Sequence, residues 1–168
     1  QLDIDEEIYY EVIRQKTASL IASCCAVGAS SSGAAPEVVA DMKKFGEAVG
    51  MAFQIKDDLF DYGEDEIGKP VGIDIKEKKM TLPLIYALSK AGFWDKRRII
   101  GIVRSESEKP KKVQEVIEFV KNSGGIDYAR EKMALFYQQA LAILDRYPES
   151  TYRQSLKNLV QFTIERQN

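Results

Sequence analysis

Apolar residues recur three and four positions apart along nearly the whole chain, and no stretch alternates apolar with polar as a half-buried strand would. This periodicity predicts an all-α protein in which helices bury their apolar stripes against one another, a helical bundle. Ile8, Val12, Leu20, Ile21 and Cys24 mark a first helix over about residues 4–28, opened by Asp3, Asp5, Glu6 and Glu7. Acids there face the positive end of the helix dipole. After a turn at Ser30-Ser31-Ser32-Gly33, Pro36 opens a second helix marked by Val38, Met42, Phe45, Val49 and Phe53. Residues 63–79 lack a period, carry Gly63, Gly68, Pro70, Gly72 and the run Lys76-Glu77-Lys78-Lys79, and read as a functional loop. Thr81 is expected to cap a third helix that runs through Leu84, Ile85 and Leu88, with Pro83 in its first turn. Further helices follow near 94–105, from Val113 to Gly124, from Ile126 to Leu144, and from about Ser150 to Glu165. No internal repeat or interior linker divides them, so one domain is expected.

At 168 residues the chain is long enough for one sizeable core. Its 45% hydrophobic and 30% charged composition is that of a soluble globular protein, and a net charge of −2 gives no reason to expect nucleic acid or an anionic membrane. No apolar run is long enough for a transmembrane segment and no charged-then-apolar leader opens the sequence, which reads as cytoplasmic. The two cysteines, Cys24 and Cys25, are adjacent in a helical pattern and are expected to be buried small residues. Histidine is absent. That removes imidazole-dependent triads, H-E-x-x-H zinc sites and the usual general base, leaving carboxylates, cations and metal for any chemistry.

Within the second helix, Gln54, Asp57, Asp58 and Asp61 project to one side, because residues three and four apart share a helix face. Like charges so spaced oppose the helix by about 0.2–0.5 kcal/mol per pair, and a carboxylate near the C-terminus meets the negative end of the dipole. Gly63 is the expected stop. A cluster that breaks local rules calls for a compensating partner, and hard oxygen ligands suit Mg²⁺ held through one or two carboxylates, waters and substrate phosphates. On its own, a D-D-x-x-D pattern on a helix reads more readily as a solvated acidic helix end. A calcium loop is excluded by Leu59, which stands where that motif needs an oxygen ligand.

Three blocks decide between these readings. Phe53 to Tyr62 (F-Q-I-K-D-D-L-F-D-Y), Gly68 to Ile75 (G-K-P-V-G-I-D-I) and Lys79 to Pro83 (K-M-T-L-P) closely resemble the second aspartate-rich region of trans-polyprenyl diphosphate synthases. Lys16-Thr17, followed by small residues to Gly28-Ala29, resembles that family's lysine-threonine block. The resemblance covers the whole chain but only the later part of such an enzyme: an earlier aspartate-rich motif and a glycine-lysine-arginine block have no counterpart here. It implies a C-terminal portion of an isoprenoid-synthase bundle, inactive alone, from an enzyme that condenses an allylic prenyl diphosphate with isopentenyl diphosphate head to tail.

Carried over by position, the resemblance makes Asp57, Asp58, Asp61 and Asp74 Mg²⁺ ligands, with Asp57 the first choice for a direct bond. Lys16, Lys69 and Lys79 become contacts to the allylic diphosphate. Thr17 and Gln54 become hydrogen-bond partners of substrate or of ligands. Lys16, Thr17, Asp57, Asp58 and Lys69 are thus the catalytic candidates, and a homodimer is the implied assembly. Lys78 departs from the glycine common at its position, which bears on the loop at Lys79. Phe53, Phe60 and Tyr62 are expected in the core or pocket wall. Two rivals remain: a related terpene synthase, disfavoured by the Gly68-Lys69 and Lys79–Pro83 blocks, and a non-catalytic helical subunit of a heteromeric synthase.

Overall fold

The structure is a computed structural model, and it describes residues 5–63 and 71–165. The helices among them are α1 (Glu6–Ile13), α2 (Ser19–Ser31), α3 (Pro36–Phe60), α4 (Ile73–Lys76), α5 (Leu82–Lys90), α6 (Phe93–Ser105), α7 (Pro110–Asn122), α8 (Gly125–Leu144) and α9 (Thr151–Glu165). No strand occurs among the described residues. The chain divides into two compact units: within the described residues, one comprises 5–9, 57–63 and 71–131, the other 10–56 and 132–165.

In the first unit, α7 packs on α4, α5 and α6. Val113, Val116, Ile117 and Val120 give α7 one buried stripe at helical spacing. It meets Ile99, Ile102 and Val103 of α6 and the nearly all-apolar α5, buried from Leu82 to Leu88 except at Tyr86. Gly72 lies close against α7: a Cβ there would meet Val113 Cγ1 at 2.3 Å, and its φ of +81° is open to glycine.

In the second unit, Phe45, Ala48, Ala140, Ile143, Leu144 and Val160 form a buried cluster, flanked by Met42, Tyr137 and Leu156. The approach of α2 to α3 is closer than ordinary side chains allow. A Cβ on Gly46 would stand 2.8 Å from Ala22 Cα, and one on Gly50 2.5 Å from Ala18 Cα. Gly46 and Gly50 on α3, and Ala22 on α2 with Ala18 just before it, are small residues four apart that bring the backbones together.

Several expectations change. The first helix is interrupted: Arg14–Ala18 winds as a π-helix between α1 and α2. The aperiodic loop contains the short helix α4. Cys24 is exposed and Cys25 only partly covered, because α2 turns Leu20, Cys24 and Val27 outward together; the two leucine and valine side chains are 66% and 63% exposed. Apolar residues lie all around α2, so periodicity could not say which stripe is inward. Phe53 is likewise exposed, whereas Tyr62 is buried. Thr81 has the extended backbone of a helix N-cap, but its hydroxyl makes no capping bond. It instead shares a 2.6 Å hydrogen bond with the buried Tyr62 hydroxyl.

Candidate functional site

The first unit holds the acids. Asp57 is half-buried on the last turn of α3, while Asp58, one residue on, is buried and accepts a 2.7 Å hydrogen bond from Tyr9 Oη. Helix α3 ends at Phe60, so Asp61 lies beyond it and not one turn above Asp57 on a continuous face. There the amides of Asp61, Tyr62 and Gly63 bond to carbonyls three residues back, which tightens the turn. Gly63 closes it with a φ of +75°, as the sequence led one to expect.

Asp61 is buried completely in this tightened turn, at 0% exposure, with neither carboxylate oxygen hydrogen-bonded among the described residues. Burial is the main reason its pKa lies above the ordinary Asp value. The Asp74 amide opposes that rise, the Asp74 carboxylate adds to it, and the amides of Ile73 and Ile75 oppose it. These amides face Asp61 from the start of α4 without reaching hydrogen-bond geometry.

Asp74 is itself buried and accepts a 3.0 Å bond from Lys79 Nζ, which also pairs with Glu77 at 2.6 Å. The bond to Glu77, then that to Asp74, holds the Lys79 ammonium above its ordinary pKa, so it stays charged. Lys79 follows Lys78, whose φ of +58° is the left-handed conformation that glycine adopts without strain. The loop thus keeps the backbone shape of a glycine with a lysine in its place.

The second unit holds the lysine-threonine block. Lys16 and Thr17 lie within the π-helical turn, a local rearrangement that is rare and frequent at functional sites. Lys16 is exposed. Thr17 Oγ1 donates a 3.0 Å hydrogen bond to Oε1 of buried Gln54. Gln54 stands one turn beyond Gly50, whose contact with Ala18 brings the helices close enough for that bond. Lys69 lies outside the described residues.

Among the described residues, no three acids or thiols gather into a set that encloses an ion by themselves. Buried Asp61, without a hydrogen-bond partner among the described residues, and its half-buried neighbour Asp57 carry carboxylate oxygens, the hard donor type that a divalent cation completed by waters and phosphate oxygens would take. The donor chemistry therefore fits such an ion. Tyr9 and the π-turn went unforeseen: Tyr9 lies 49 residues from Asp58, and no composition cue marks a π-turn.

The family model described as Polyprenyl synthetase matches residues 1–120. A short chain isoprenyl diphosphate synthase of Methanothermobacter thermautotrophicus is 39% identical over 100% of this chain and 52% of its own length. An all-trans-nonaprenyl-diphosphate synthase of Rhodobacter capsulatus is 35% identical over 99% of this chain and 51% of its own. Among solved structures, the geranylgeranyl pyrophosphate synthase of Bacteroides thetaiotaomicron superposes with a TM-score of 0.90 at 37% identity, covering 99% of this chain and 55% of that one. That of Corynebacterium glutamicum, complexed with calcium and isoprenyl diphosphate, gives 0.82 at 39% identity over 99% and 52%. The chain thus spans about half the length of the relatives it matches. No described helix is long and apolar enough to cross a membrane.

Proposed function

Because the chain belongs to the polyprenyl synthetase family, we propose that it supplies the second aspartate-rich side of a Mg²⁺-dependent prenyltransferase site, condensing an allylic prenyl diphosphate with isopentenyl diphosphate. The observation that carries this reading is Asp61, buried just past the end of α3 with no hydrogen-bond partner among the described residues, beside the buried Asp74 at the start of α4. A bundle stabilised by packing alone gains nothing from a buried carboxylate without a partner.

In the reaction the allylic C–O bond breaks, the diphosphate departs, the isopentenyl double bond attacks the electron-poor carbon, and a proton is lost from the new adduct. Negative charge develops on the departing oxygen, and no imidazole base is needed to stabilise it. Mg²⁺, when bound, neutralises that charge as a Lewis acid. Asp57 and Asp61 would hold the ion, with Asp58, bonded to Tyr9, and Asp74 ordering their surroundings. Lys79, kept protonated beside Asp74, and Lys69 and Lys16 bind phosphate oxygens as point charges. Thr17 and Gln54, already paired, orient the substrate or the ligands. We further propose a homodimer working in the cytoplasm, with the first aspartate-rich motif supplied by residues beyond these, so that 1–168 alone is inactive.

The test is incubation of the full-length protein with Mg²⁺, an allylic diphosphate and isopentenyl diphosphate, followed by mass spectrometry. A prenyl diphosphate longer by whole five-carbon units is the expected product. Absence of any elongated product across allylic primers of several lengths would favour the non-catalytic subunit.

A further inference from the structure

Helix α6 turns two large aromatic side chains into solvent: Phe93 is 69% and Trp94 77% exposed, their rings in edge-to-face contact at 5.3 Å. The inward face of the same helix is satisfied by Ile99, Ile102 and Val103, so the aromatics serve no core. Beside them runs a shallow groove of about 500 Å³ lined by Phe93, Lys96, Arg97, Ile100, Gly101 and Arg104. These residues recur at helical spacing and form one stripe. Between Lys90 and Arg104 the sequence carries five cations against the single carboxylate of Asp95. That carboxylate is occupied by Arg98, which also pairs with Glu115. Lys90 sits over the Tyr86 ring. Lys96, Arg97 and Arg104 make no ion pair among the described residues. The whole-chain charge of −2 conceals this local excess.

We propose that this face of α6 docks on an anionic membrane surface, with Phe93 and Trp94 entering the headgroup region and Lys96, Arg97 and Arg104 meeting lipid phosphates. Exposed Trp and Phe joined to a basic stripe on one helix are what interfacial binding requires, since aromatic rings favour the headgroup layer and cations are drawn to its negative potential. Long Lys and Arg stems lie along the apolar groove while their heads reach the phosphates. Charge complementarity selects the occupant: an uncharged apolar partner would leave three free cations facing it. The inference rests on this surface alone and is independent of the reading of the acid site.

Sedimentation of the full-length protein with vesicles of phosphatidylcholine, with and without phosphatidylglycerol, tests it. Trp94 fluorescence, taken as the difference from Trp94→Phe, is followed alongside. Binding to the anionic vesicles only, a blue shift of the Trp94 emission, and weakening by added salt are expected. Arg97→Gln with Arg104→Gln should weaken partitioning by roughly twenty-five-fold, about five-fold per cation removed, and Phe93→Ser should weaken it at unchanged helicity. Equal partitioning into both vesicle types would overturn the proposal, as would no binding to either. So would the same blue shift produced by heparin in the absence of vesicles, which would assign the face to an acidic macromolecule, or a concentration-dependent dimer abolished by Phe93→Ser.

Discussion

Tyr9 Oη donates a 2.7 Å hydrogen bond to Asp58 Oδ2, so an acid of the candidate site is held from a helix 49 residues away in sequence. Both residues are buried, at 4% and 7% exposure. Removing the hydroxyl withdraws a charge-assisted bond from a carboxylate that water reaches poorly. Tyr9→Phe should therefore destabilise the fold by about 1–3 kcal/mol in urea denaturation at neutral pH. An unchanged midpoint would mean that Tyr9 contributes nothing to placing Asp58.

The contact between α2 and α3 tolerates no added methyl group. In Gly50→Ala the new Cβ would stand 2.5 Å from a backbone atom of Ala18, which no rotamer change relieves. The expected cost is about 1–3 kcal/mol, with loosening of the Thr17–Gln54 bond one turn on. Gly101→Ala in exposed α6 is the control: a Cβ there meets nothing within 4 Å, and replacing a helix-interior glycine should gain about 0.5–1 kcal/mol. Thermal melts of the two variants should shift in opposite directions.

Lys78 occupies a conformation with a φ of +58° that costs a non-glycine residue about 1–2 kcal/mol. Lys78→Gly should raise stability by about 0.5–1 kcal/mol, the extra freedom of glycine in the unfolded chain offsetting part of the relief. A fall in the melting temperature would show that the Lys78 side chain makes up for the strain.

Asp61 sets a pH dependence whose sign is fixed by its environment. Its folded pKa is raised, chiefly by burial, so the folded protein keeps that proton to higher pH than the unfolded chain does. The stability linked to the group is full below the ordinary value near 3.8 and is lost as pH rises through the raised folded value. Without divalent ions, Asp61→Asn should be more stable than the parent at pH 7, and the difference should vanish at about pH 4 or below. Millimolar Mg²⁺ should stabilise the parent more than the variant. Denaturation curves over pH, with EDTA and with Mg²⁺, provide the check; a difference independent of pH would contradict it.

How far the sequence disclosed this molecule differs from element to element. In α7 the stripe from Val113 to Val120 stands out between polar residues, so its inward face was legible, although the helix begins three residues earlier, at Pro110. Pro36 and Gly63 likewise announced the start and stop of the stretch that carries Asp57 and Asp58. The inward face of α2 was not legible, because apolar residues surround it and only neighbouring helices choose among them. The π-turn at Lys16-Thr17 and the tightened turn at Asp61 escaped for a related reason. Each trades local hydrogen-bond regularity for a long-range gain, at the Ala18–Gly50 approach and beside the amides of α4, that no nearby residue encodes. The candidate acids Asp57, Asp58 and Asp61 could be named from their spacing, and Asp74 only through the family resemblance. Their inequality, with Asp57 half-buried and Asp61 sealed, could not be read from either.

The central claim is that these acids hold a divalent cation against a diphosphate, and calorimetric titration of the full-length protein with inorganic pyrophosphate, with and without Mg²⁺, tests it most directly. The account predicts pyrophosphate binding that requires Mg²⁺ and weakens by about tenfold or more, the scale of one lost charge-assisted contact, in Asp57→Asn and Asp61→Asn. Pyrophosphate binding of equal strength without Mg²⁺, or unaltered in both variants, would contradict it.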